Sequence, residues 1–97
     1  MSDPVRVIDV QAKEEAFRKM LTDAFEDRPQ EVEGNTIRLG GEGKPVHVSF
    51  HEQPERHLGS LDLPMEKVRF EFPDQSEEDA DAFMETYRER TMRTGGG

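Results

Sequence analysis

The chain contains no cysteine and no tryptophan. Without thiols it has no disulfide, no thiolate nucleophile and no thiolate metal ligand, and a reducing compartment suits it. It also lacks any apolar run near the roughly 20 residues a membrane span needs. Its start, Met1-Ser2-Asp3-Pro4, has no basic stretch leading into an apolar one. A cytoplasmic protein with no membrane partner is the expectation. Basic residues are scarce: 13 Lys and Arg stand against 22 Asp and Glu, a formal net charge of −9 that repels nucleic acid and anionic lipid at long range. At 97 residues there is room for one core, so a single domain is expected over 1–97, with flexible ends at about 1–4 and 94–97.

What is present is periodicity. Between Gln11 and Asp27 the residues Ala16, Phe17, Met20, Leu21, Ala24 and Phe25 recur at spacings of three and four, one stripe along a helix. Arg28-Pro29 ends it, because a residue before proline is pushed out of the α region. Glu31 to Leu39 reads as strand, with Gly34-Asn35 as a tight turn or bulge within it. After the flexible Gly40–Lys44 connection, Val46, Val48 and Phe50 alternate with His47, Ser49 and His51. Glu52 to His57 reads as loop. Glu66 to Phe72 alternates again, Val68, Phe70 and Phe72 against Lys67, Arg69 and Glu71. The apolar phase of Leu61, Leu63 and Met65 does not continue into Val68, which calls for a bulge or break between them.

Ser76 followed three residues later by Asp79 reads as a reciprocal helix cap. Ala80, Phe83, Met84 and Tyr87 then form the buried stripe of a helix reaching about Arg93, with acids at its start and Arg88, Arg90 and Arg93 near its end, as the helix dipole favours. The fold class is therefore α+β: two helices on one face of an antiparallel sheet, in the order α-β-β-β-α, the sheet three-stranded without and four-stranded with a short N-terminal strand at Val5–Ile8. About fifteen large side chains, at roughly 1.5–3 kcal/mol each, offset the ordering entropy without metal or disulfide.

Several chemistries can be weighed against spacing. His47 and His51 on one strand stand about 13 Å apart, too far to share an ion whose nitrogen ligands lie at about 2 Å, so no metal and no cofactor is expected. A phosphate-binding glycine loop needs a glycine and a hydroxyl residue where Arg38 and Pro45 stand around Gly40–Lys44. The element order is also that of the double-stranded-RNA-binding domain, but the second helix there grips phosphates with lysines, where this chain has Glu77, Glu78, Asp79 and Asp81. No nucleophile has a neighbouring base, which argues against an enzyme; Asp62 and His47 are the residues to consider as proton-transfer groups.

Two features remain. Arg38, His47, Ser49, His51, Lys67 and Arg69 align on the outer face of the sheet as a locally cationic surface, without the aromatic residues that stack on bases. Leu58, Leu61, Leu63 and Met65 either cap the end of the core or form an edge to which a partner adds. The function expected is a small non-catalytic binding or adaptor module, acting through that face and the 58–65 edge on a protein partner or on itself. Anionic-ligand or nucleic-acid binding through Arg38, Lys67 and Arg69 is the alternative, and an accessory enzyme subunit the next.

Overall fold

The computed structural model describes residues 3–41 and 43–95, apart from the side chains of Leu58 and residues 92–95. Met1, Ser2, Gly96 and Gly97 of the expected flexible ends lie outside it. The elements are β1 (Val5–Val10), α1 (Glu14–Ala24), β2 (Gln30–Glu33), β3 (Thr36–Leu39), β4 (Val46–Leu58), β5 (Leu61–Glu71) and α2 (Glu77–Gly95). The class is α+β, and the sheet has five antiparallel strands in the order β1-β5-β4-β3-β2.

The strand count differs from expectation for local reasons. Gly34, at φ 58°, opens a two-residue loop, so the single strand expected over 31–39 is a hairpin of β2 and β3. The N-terminal strand exists and runs to Val10, paired along β5, which delays α1 to Glu14. At the other end of α1, the Gln30 amide donates to the carbonyls of Thr22 and Phe25 at 3.0 and 2.9 Å, satisfying groups the helix leaves open.

Both helices cover the same face of the sheet. Phe17 of α1 meets Phe50 of β4 edge-on with ring centroids 5.8 Å apart, and Phe83 of α2 lies against Phe70 of β5 and Phe72 just beyond it at 5.9 and 5.5 Å. The helices join each other where Phe25 stacks on Phe83 at 5.0 Å. Cross-strand rows supply the floor: Ile37, Val48 and Phe70 form one, and Phe50, Val68 and Ile8 the next. Arg90 of α2 bonds Asp27 at 2.8 Å and the Ala24 carbonyl at 2.9 Å, while its guanidinium lies over Phe25. Asp27 is held below the usual carboxylate range, chiefly by the Arg90 hydrogen bond.

The reciprocal cap of α2 is formed: the Ser76 amide donates to Asp79 Oδ2 and the Asp79 amide to Ser76 Oγ, both at 3.1 Å. These bonds, with the Lys44 ammonium, hold the Asp79 carboxyl below its ordinary value. Ser76→Ala removes one acceptor and is expected to cost about 1 kcal/mol of stability. A shift in the urea midpoint of Ser76→Ala checks this, and an unchanged midpoint contradicts it.

The largest departure lies between Glu52 and Met65. Residues 52–57 are strand rather than loop: β4 continues to Leu58 and turns through Gly59, at φ 61°, and Ser60 directly into β5. The bulge or break expected between Met65 and Val68 is absent, the pairing there being unbroken; the register shift of this hairpin lies on β4, between Gln53 and Arg56. Leu61, Leu63 and Met65 change phase because they occupy the opposite face of an unbroken β5.

Candidate functional site

Two adjoining regions carry chemistry that the core does not use. The first is the far half of the β4–β5 hairpin, residues 53–58 and 61–65, a two-stranded ribbon. β3 pairs with β4 only as far as Ser49, and β1 pairs with β5 only as far as Glu66, so both edges of the ribbon are open. Leu61 is 62% exposed, and neither Leu63 nor Met65 belongs to the side chains packed on the core. They do not cap it. The side chain of Leu58 lies outside the described residues, though its backbone pairs with Leu61. At the tip His57 Nδ1 meets Asp62 Oδ1, both side chains exposed, so Asp62 sits beside an imidazole rather than against apolar surface.

The second region is the root of that ribbon, on the helix side of the sheet. The row that follows Phe50, Val68 and Ile8 is Glu52, Glu66 and Val10. Glu66 thus occupies a core position and is 3% exposed, the buried charged residue among the described ones. Its Oε1 has no hydrogen-bond partner among the described residues. Glu52 stands directly across the strand pair, an arrangement that is unfavourable for like charges. Burial, then the Glu14 carboxylate at the start of α1, then Glu52 push the Glu66 carboxyl above the ordinary glutamate value, with His51 and Arg18 pulling weakly the other way. Arg18 itself is committed to Glu14 at 2.8 Å and to the Gly34 carbonyl at 2.6 Å, and its guanidinium lies over Phe50. A cavity of about 520 Å³ opens here, floored by Glu66 and walled by Glu14, Glu52, Gln53, Pro64 and Met65.

Arg28 offers a contrast. Its Nη1 is also buried without a hydrogen-bond partner, but the guanidinium faces the Phe83 ring at 5.3 Å and the Phe25 ring at 6.0 Å, which compensate a cation. Glu66 has no equivalent.

The six polar residues expected on the outer sheet face do share that face. Arg38 lies opposite His47, Ser49 opposite Arg69, and His51 opposite Lys67. The surface is not uniformly cationic, because acids occupy the same rows: Glu31 opposite Arg38, Glu71 opposite His47 and Asp9 opposite Lys67. Arg38 pairs with Glu33 at 3.1 Å and Arg69 with Glu71 at 3.2 Å. His47 and His51 fall in separate rows. Among the described residues, no three His, Asp or Glu side chains are grouped so as to hold a metal ion. No described helix is long and apolar enough to cross a membrane.

The chain matches no protein-family model and no curated protein. Geometry alone must carry the functional reading. The Glu66 cavity escaped the reading of the sequence, although a signal was there: Glu66 has the parity of Val68, Phe70 and Phe72, the buried phase of β5.

Proposed function

We propose that the protein is a non-catalytic binding module whose β4–β5 ribbon docks an extended, basic segment of another protein, with the polar sheet face flanking the contact. The observation that carries this reading is the ribbon's two open edges together with the exposed Leu61 at its tip. A two-stranded ribbon on its own is marginal in water, and unpaired strand edges are templates for a further strand. Charge selects the occupant. The ribbon carries Glu55 and Asp62 against Arg56, with Glu52 at its root, on a chain with net charge −9, so a second copy would bring acid onto acid, whereas a basic segment is attracted.

Binding of a free anion or nucleic acid through Arg38, Lys67 and Arg69 is the weaker reading, since two of those cations are already paired with neighbouring glutamates. The test compares the wild-type chain with a Leu61→Glu/Leu63→Glu variant in native pull-downs identified by mass spectrometry, with sedimentation of each alone. A monomer that retains a basic partner, lost in the variant at unchanged thermal stability, supports the reading. A partner kept equally by both proteins, no partner at all, or a concentration-dependent dimer overturns it.

A further inference from the structure

The cavity at the ribbon root has a chemistry of its own, independent of what adds to the ribbon edges. Three acidic residues line it from two directions: Glu14 from the start of α1, and the cross-strand pair Glu52 and Glu66 from the sheet. Acids gathered on a surface are ordinary, and Glu14 and Glu15 suit the first turn of a helix without further explanation. Glu66 is different. It is 97% shielded from solvent by the fold, in register with the core, and among the described residues its Oε1 has no donor to accept a hydrogen from. A buried acceptor left unmatched costs free energy, and the missing partner is a donor.

We infer that this cavity binds an alkylammonium group, with the cationic head set against Glu66 and the methylene chain lying along Ala12 and Pro64. The volume, about 520 Å³, is that of a small-ligand site, with a mixed wall of carboxylates and apolar side chains that matches a cation on a hydrocarbon stem. An ammonium brings three donors and no acceptor, which suits a site that offers only carboxylate oxygens at its floor. A divalent metal ion fits poorly, as it demands six or more converging oxygens, and these side chains are not grouped in that way. Lys13 also lines the cavity, yet Glu66 Oε1 receives no hydrogen bond from it.

The charged groups around Glu66 are Lys13, Glu14, Glu15 and Arg18 on the α1 side and His51, Glu52 and Glu55 on β4; β1 contributes the uncharged Val10. Their balance is acidic, so an arriving cation favours the ionised form of Glu66 and binding releases protons. Affinity accordingly rises as pH increases through the raised Glu66 value.

The experiment is an amide and carboxyl NMR titration of the whole chain with two probes: spermidine, and N-acetyl-lysine methylamide with its free ε-ammonium. N-acetyl-norleucine methylamide, which has the stem without the charge, is the control. The expected result is saturable shifts at Glu14, Gln53, Met65 and Glu66 with the ammonium probes, none with the control, and affinity about tenfold lower in Glu66→Gln. A tighter fit for the capped lysine identifies a polypeptide side chain as the source, and a tighter fit for spermidine a free polyamine. Shifts that the norleucine probe reproduces, shifts unchanged in a folded Glu66→Gln, or no saturation up to about 10 mM each overturn the inference. Because the wild-type shifts locate the site directly, the result stands even where the variant folds poorly. It is also separable from docking on the ribbon, which the Leu61→Glu/Leu63→Glu protein tests with Glu66 in place.

Discussion

Phe83→Ala lowers the unfolding free energy by about 3–5 kcal/mol, a large part of the 5–15 kcal/mol typical of a small domain. Phe83 is the ring through which the two helices and the sheet meet: it stacks on Phe25, touches Phe70 and Phe72, and lies beneath the guanidinium of Arg28. Alanine removes all of these contacts at once, and neighbours on three rigid elements cannot close the gap. The cost is therefore the lost transfer energy together with that of a cavity. Urea unfolding of Phe83→Ala beside Leu61→Ala is the measurement. The exposed leucine should move stability by no more than about 0.5 kcal/mol. A Phe83→Ala cost below about 1 kcal/mol would mean that the aromatic cluster does not hold the layers together.

Glu66→Met shifts stability in the opposite direction. Methionine fills a similar volume beside Val10, Val68 and Glu52 without an acceptor to leave unmatched, and is expected to stabilise the protein by about 1–3 kcal/mol at neutral pH. The pH dependence follows from the raised pKa of Glu66. Between the ordinary glutamate value and the raised one, the folded protein holds a proton that the unfolded chain has given up. Wild-type stability therefore falls as pH rises through that window and stays reduced above it. The advantage of Glu66→Met is thus largest above the raised value, shrinks as the solution is acidified through the window, and is smallest below the ordinary one. Urea unfolding of both proteins at about pH 7.5 and about pH 4 reads the difference. A variant less stable than wild type at both pH values contradicts it. A fold that keeps a destabilising acid in a core row behaves as folds do where stability has yielded to binding.

How far the sequence discloses this structure depends on where apolar side chains set the geometry. The spacing of Phe17, Leu21 and Phe25 marks α1, and that of Ala80, Phe83, Met84 and Tyr87 marks α2, because each stripe has one place to be buried. The parity of Val46, Val48 and Phe50 and of Val68, Phe70 and Phe72 likewise places the outer-face residues together on one surface. The α1 stripe is only partly realised: Met20 and Ala24 pack against the cluster partly buried, and Ala16 is exposed. Where backbone pairing does the work, side-chain patterns are silent. Residues 53–57 show no apolar alternation because neither face of the ribbon meets the core, and they are strand through their pairing with β5 alone. β2 is exposed at every residue, so its four residues leave no mark except the turn at Gly34.

The candidate site divides the same way. Exposed polar residues on a strand are legible by parity, but their charge balance is not, since Glu31, Glu33, Asp9 and Glu71 enter from strands whose register no single segment reveals. The cavity below Glu66 depends on where α1 begins relative to the hairpin, a long-range contact that local periodicity cannot express.

The bulge between Gln53 and Arg56 divides the longest hairpin into a half embedded under helices and a half that is not. Residues beyond it can be exchanged without disturbing the aromatic layer, and residues before it can be repacked without altering the tip. Assembly of the domain and whatever the tip meets thus rest on separate sets of amino acids, so sequence drift in one leaves the other unchanged.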